Sequence, residues 1–241
     1  MNKIKELNVF SEKLQIFSGN ALKIIALIAM TCDHIGYYLS DNMIILRIVG
    51  RIAFPIFAYM ISEGCKYTKN RKKYLLTILL SGLLFQIIYT GFSKSLYCNI
   101  FITFSLSIIL IYLFDWAKRI KKKSAYTVPL LMTISFFLIA EILPLYSEHG
   151  FKTDYGFTGL FIPVTLYFIK DKKIKLFVLS IMLVILSFSL GKIELFSLIC
   201  VPLLALYNNK RGKLNLKYFF YLYYPLHLLV IFAINELTKI I

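Results

Sequence analysis

The chain has 241 residues, is 59% hydrophobic and carries a formal net charge of +16. A soluble globular chain is about 45–50% apolar even with glycine counted. The excess here, gathered in runs of roughly 15–20 residues between short basic loops, excludes an ordinary soluble domain and points to helices that cross a membrane. The runs do not alternate with period two, which excludes a β-barrel.

Residues 1–20 place Ile4, Leu7, Phe10, Leu14 and Phe17 three or four apart, with Lys3, Glu6 and Lys13 elsewhere on the wheel. This spacing predicts an amphipathic helix lying on the membrane surface, broken at Ser18-Gly19-Asn20. Polar and amphipathic residues precede the first apolar run and no small-residue cleavage site follows it, so a cleavable signal peptide is not expected. Residues 21–241 are expected to form one transmembrane domain. Nine spans are expected, at 21–39, 43–63, 74–92, 98–115, 126–146, 155–169, 174–190, 193–207 and 218–237. The expected fold is thus all-α, a polytopic integral membrane helical bundle of about nine transmembrane helices.

Alternating the loops across nine spans puts 22 of the 28 Lys and Arg residues on the side of the N-terminus. Basic loops stay in the cytoplasm, so the N-terminus is expected there, in a multi-pass protein of the cell membrane. The net charge then reflects topology and contact with anionic membrane lipids; no nucleic-acid partner is expected. The four cysteines are scattered without a C-x-x-C pair, and no zinc or phosphate-loop motif occurs; no metal is expected.

Ionisable groups inside a bilayer are costly and mark functional sites by default. Asp33 and His34 close the first span; Arg47 and Arg51 open the second. Arg47, Arg51, Pro55, Ala58 and Ser62 share one helical face, and Pro55 invites a kink beside the charges. The arginines either face the bundle or snorkel to the outer headgroups. Adjacent residues on a helix do not face each other, so Asp33 and His34 are not a self-contained dyad. Asp33 is expected to pair with Arg51 or Arg47. His34 is suited to general-base work and would take its orienting partner from another helix, with Asp154 or Glu141 as candidates. Its alternative role is a helix–helix hydrogen bond. On this topology Asn99, Glu141, Asp154 and Tyr155 also lie at the outer side and are candidates for binding a substrate there. His227, in Tyr223-Tyr224-Pro225-Leu226-His227, lies nearer mid-membrane; it either contacts a substrate or belongs to an interfacial aromatic belt. Glu63, Glu194 and His149 fall at span ends or loops and are expected to be solvated.

Several segments together resemble one family. They are Leu22-Lys23-Ile24-Ile25-Ala26-Leu27-Ile28-Ala29-Met30-Thr31-Cys32-Asp33-His34-Ile35-Gly36, Leu46-Arg47-Ile48-Val49-Gly50-Arg51-Ile52-Ala53-Phe54-Pro55-Ile56-Phe57-Ala58, Asn70-Arg71-Lys72-Lys73-Tyr74-Leu75, Asn99-Ile100-Phe101-Ile102-Thr103-Phe104, Asp154-Tyr155-Gly156, Leu206-Tyr207-Asn208, and Tyr218-Phe219-Phe220-Tyr221 with Tyr224-Pro225-Leu226-His227. In this order they resemble the TraX family, named for acetylation of the N-terminal amine of conjugative pilin subunits. That family is similar in turn to integral-membrane acyltransferases.

The resemblance implies acetyl-CoA as cytoplasmic acyl donor and a peptide or glycan acceptor reached from outside. It implies His34 as the catalytic residue; Asp33 and Arg51 beside it, and Arg47, Asn99, Glu141, Asp154, Tyr155 and His227 toward a substrate, are expected from their placement on the spans. Lys69, Arg71 and Lys72, with Lys66 and Lys73, would meet the donor's phosphates. Acyl transfer needs a base for the nucleophile and cationic or hydrogen-bonding groups for the carbonyl oxyanion; His34 and Arg51 offer the two. The competing reading is a transporter or channel whose solute or proton path the same charges line, although no inverted repeat is visible. A structural role in assembly is a third reading.

Overall fold

The structure is a computed structural model that describes residues 15–39, 43–93, 95–147, 150–213 and 216–240. The expected surface helix falls mostly on residues 1–14, which lie outside the described residues, as do Lys94 and His149. Phe17 is not helical. It makes a parallel bridge with Tyr207, its N–H donating to the Leu206 carbonyl at 3.0 Å. The expected break at Ser18-Gly19-Asn20 is narrower than that, because Ser18 is already the N-cap of the first helix and accepts from the Ala21 N–H at 3.2 Å.

The described chain is mostly helical, with one two-residue parallel ladder besides the Phe17–Tyr207 bridge. In order the elements are α1 (Gly19–Tyr38), α2 (Ile44–Gly50), α3 (Ala53–Tyr67), α4 (Arg71–Ser93), β1 (Tyr97–Cys98), α5 (Ile100–Ile120), α6 (Thr127–Phe137), β2 (Lys152–Thr153), α7 (Gly156–Phe168), α8 (Lys172–Leu190), α9 (Cys200–Ala205) and α10 (Lys217–Ile240). A π-helical turn, Leu138–Ile142, extends α6, and a 3-10 helix, Lys192–Ile199, leads into α9. Among the described residues five helical stretches are long and apolar enough to cross a membrane: Ile44–Tyr67, Arg71–Gly91, Ile100–Ile120, Lys123–Tyr146 and Lys172–Leu190. The apolar helices Gly156–Phe168 and Leu222–Thr238 are shorter.

Two compact units divide the chain, one of residues 1–60 and 171–241, the other of residues 61–170. In the first, the core is built from Leu22, Ala26, Ala29 and Met30 of α1 with Leu179, Leu183 and Leu186 of α8. In the second, Ile108, Leu110 and Ile111 of α5 and Leu160, Ile162 and Leu166 of α7 are buried. There Ser107 of α5 donates to the Leu160 carbonyl of α7 at 2.6 Å. α4 exposes Leu76, Leu80, Leu83, Leu84 and Ile87, an apolar surface suited to lipid.

The second expected span is broken. α2 ends at Gly50, and α3 starts at Ala53 after a turn at Arg51-Ile52. Pro55 accounts for the position. It has no N–H for the Arg51 carbonyl four residues back, and its ring crowds that carbonyl. Arg51 and Ile52 instead donate to Ile48 and Val49 in tighter i→i−3 bonds. Pro55 itself then lies in the first turn of α3, where its missing donor costs nothing.

Candidate active site

The first unit holds the three charged residues of the α1–α2 hairpin, Asp33, Arg47 and Arg51. Gly50 faces Asp33 so closely that a Cβ there would overlap the carboxylate. This lets α2 approach α1 until Arg47 Nη1 is 3.0 Å from Asp33 Oδ1. Arg51 Nη2 donates to the same oxygen, so the pairing expected of Asp33 with the two arginines forms.

One Asp leaves one guanidinium charge unbalanced, and the structure supplies the missing anion from far along the chain. Glu194 is 3% exposed and accepts from Arg51 Nη1. The expectation of a solvated Glu194 is therefore corrected. The residues 192–199 wind as a 3-10 helix, whose period of three carries Glu194 and Ser197 onto one buried face. Glu63, expected to be solvated, is buried as well, at the end of α3 that belongs to the second unit.

Arg51, 7% exposed, also donates from Nε to the Arg47 carbonyl at 3.2 Å. All three guanidinium nitrogens thus hold protein acceptors. Two cations and two carboxylates make a neutral set, which is how such groups are tolerated away from water. The set ties the end of α1, next to His34, to α2 and to the Lys192–Ile199 segment.

His34 lies on α1 beside α10. Three contacts climb the two helices in the same sense: Tyr223 Oη to Thr31 Oγ1 at 2.8 Å, His34 Nδ1 to His227 Nε2 at 2.7 Å, and the Tyr38 ring edge-on to Phe232 at 4.9 Å between centroids. α1 and α10 therefore run parallel. The orienting partner expected from Asp154 or Glu141 is supplied by His227 instead.

The direction of the hydrogen bonds follows from one fixed acceptor. His227 Nδ1 lies 3.0 Å from the Tyr223 carbonyl, and a carbonyl only accepts. With both rings neutral, His227 carries its proton on Nδ1 and offers a lone pair at Nε2. His34 then donates from Nδ1, which leaves its own Nε2 unprotonated. This is the logic of an orienting group holding a histidine in the tautomer that a base requires, with a backbone carbonyl and a second imidazole in the place of a carboxylate. Tyr223 contributes three contacts: its carbonyl, its ring stacked on His227 at 5.3 Å, and its hydroxyl on Thr31.

The other candidate residues lie in the second unit and mostly serve its backbone. Asn99 caps α5 by accepting from the Phe101 N–H at 3.0 Å and donates to the Gly82 carbonyl and Gln86 Oε1, each at 2.9 Å. Asp154 accepts from the Tyr97 hydroxyl at 2.8 Å, while its carbonyl takes the Thr103 hydroxyl at 3.0 Å. Tyr155 sits in the left-handed region, φ 61°, as the residue before α7. Glu141, a candidate partner for His34 in the sequence, instead accepts from the Phe157 N–H at 2.7 Å at the positive end of α7. Gly156, φ +59°, leaves room for that carboxylate; a Cβ there would lie 2.7 Å from Oε1. Lys69 and Lys72 are exposed, whereas Arg71 pairs with Asp115 at 2.6 Å and stacks over Tyr112 at 5.1 Å.

Sequence reasoning missed Glu194 and did not join His34 to His227. A charge count around the hairpin, two arginines against one aspartate, was the available signal for a second buried acid. No comparable signal pairs the histidines, which are 193 positions apart.

Apolar helices long enough to span a membrane, with a neutralised charge set and a hydrogen-bonded histidine pair, define a helical membrane protein. A family model described as TraX protein matches residues 18–235, and the chain belongs to the TraX family. It is 28% identical to the probable fimbrial assembly protein FimC, serogroup H1, of Dichelobacter nodosus, over 88% of this chain and 93% of that protein. It is also 40% identical to an uncharacterized protein of Rickettsia prowazekii (strain Madrid E), over 39% of this chain. The chain's match spans 36% of that protein's length. No solved structure matches significantly.

Proposed function

We propose that this protein is a membrane-bound acetyl- or acyltransferase of the cell membrane, with His34 Nε2 as the general base. The observation that carries this reading is the hydrogen-bond chain from the Tyr223 carbonyl through His227 to His34, which leaves one basic nitrogen unprotonated. Membership of the TraX family supports acyl transfer through the pilin acetylation for which the family is named. The fimbrial assembly relative supports a pilus-subunit amine as the acceptor, ahead of an envelope sugar hydroxyl.

In the reaction His34 takes a proton from the acceptor amine or hydroxyl as the nucleophile attacks the thioester carbonyl of acetyl-CoA. The tetrahedral intermediate expels CoA thiolate, which receives the proton from His34. Asp33, Arg51 and Glu194 keep the end of α1 in register so that the imidazole meets the acceptor. Lys69, Arg71 and Lys72 hold the phosphates of the donor on the cytoplasmic side, where the basic loops and the N-terminus lie, and Arg71 keeps its orientation from Asp115. The acceptor arrives from outside.

The test supplies labelled acetyl-CoA and envelope extract to the purified protein. Label transfer that disappears in His34→Ala and persists in Lys192→Gln supports the enzyme. Label retained on the protein without acceptor, and lost in His34→Ala, would point to an acyl-histidine route with ping-pong kinetics. Absence of transfer to any acceptor, together with solute or proton uptake into vesicles that depends on Asp33 and Glu194, overturns the reading in favour of a transporter.

A further inference from the structure

Arg47 differs from Arg51 in what its guanidinium leaves over. One nitrogen, Nη1, contacts Asp33 Oδ1 at 3.0 Å and the Asp33 carbonyl at 3.5 Å. The guanidinium carbon lies 4.8 Å from the centre of the Tyr37 ring. The opposite edge, Nε with Nη2, has no hydrogen-bond partner among the described residues. The Arg47 side chain is 24% exposed and Tyr37 is 58% exposed, so this edge is reachable, whereas the guanidinium of Arg51 is closed off between two carboxylates.

The chemistry of that edge is specific. Nε–H and Nη2–H point the same way at a fixed spacing, which matches two oxygens of a carboxylate or phosphate. The aromatic face of Tyr37 below and Asp33 beside it hold the plane of the fork, so little freedom remains to be lost on binding. The position is also pointed: the Asp33 carbonyl touched by Nη1 belongs to the peptide unit that leads into His34.

We infer that Arg47 and Tyr37 form an oxyanion-binding subsite beside His34, which selects an acceptor that carries a carboxylate or phosphate group near the amine or hydroxyl to be acylated. The inference rests on the reading of His34 as the reacting group, but it is tested by binding and needs no turnover. A failed acetylation assay and a failed binding assay are therefore separate results.

The probe is inorganic phosphate, titrated at constant ionic strength against protein in dodecyl maltoside, a detergent without phosphate. The thermal unfolding midpoint of the wild type is expected to rise and saturate. Arg47→Lys keeps the charge and the Asp33 pair but loses the fork, and the apparent affinity is expected to weaken about tenfold. Arg47→Met is expected to abolish the saturable rise. An equal response in the wild type and Arg47→Lys overturns the subsite, because the phosphate is then held by the lysine-rich loops or by charge alone. Native mass spectrometry of protein extracted from phosphatidylglycerol-containing membranes separates the sources. Lipid retained in an Arg47-dependent way and not displaced by phosphate overturns the acceptor assignment and makes a headgroup the occupant. No such lipid, with phosphate binding intact, supports an acceptor-borne group.

Discussion

The two units handle buried polar side chains in different ways. In the second, Asn99, Asp154 and Glu141 mostly meet peptide groups: a cap, a carbonyl, a helix N-terminus. Their contacts end locally, and each gives a backbone group the partner that lipid cannot provide. In the first unit, side chains meet side chains. Asp33, Arg47, Arg51 and Glu194 neutralise one another, and His227 orients His34. A polar group that ends on the backbone stabilises a fold. One that ends on another titratable group can leave an atom over, and in the proposed reaction that atom is His34 Nε2.

Substitutions can break or sharpen this contrast. The largest effect is expected from Arg51→Met, which leaves Glu194 buried without its cation and Asp33 with Arg47 alone. Breaking a buried pair this way costs about 3–5 kcal/mol, and the variant should aggregate on detergent extraction when followed by size-exclusion chromatography. His34→Ala should be extracted like the wild type yet lose about 10²–10⁴-fold of its acetyl transfer, as expected when a general base is removed. His227→Leu removes the orienting ring. Leaving a buried partner unsatisfied costs about 1–3 kcal/mol, so transfer should fall roughly ten- to a hundredfold, in kcat more than in KM.

Asn99→Ala is the corresponding change in the second unit. It should lower stability by about 1–2 kcal/mol through loss of the cap and leave transfer per folded molecule unchanged. A stable but inactive Asn99→Ala protein would erase the contrast and return Asn99 to the substrate site. The smallest effect is expected for Tyr223→Phe. It keeps the carbonyl and the ring and loses only the bond to Thr31, worth about 0.5–1.5 kcal/mol; a thermal melt should show it, with transfer close to wild type.

The amino-acid sequence by itself determined the features that local rules and the cost of charge in lipid govern. Most apolar runs became helices where they were expected, and the Asp33–arginine pairing was legible because both partners sit on one hairpin. Pro55 set the break in the second span, since the steric reach of a proline is four residues. Only tertiary structure decided that His227 orients His34 and that Glu194 completes the charge set, because these partners lie 193 and 143 positions away. Helix periodicity says which residues share a face but not which helices are neighbours, and the tautomer that leaves His34 Nε2 basic depends on that adjacency.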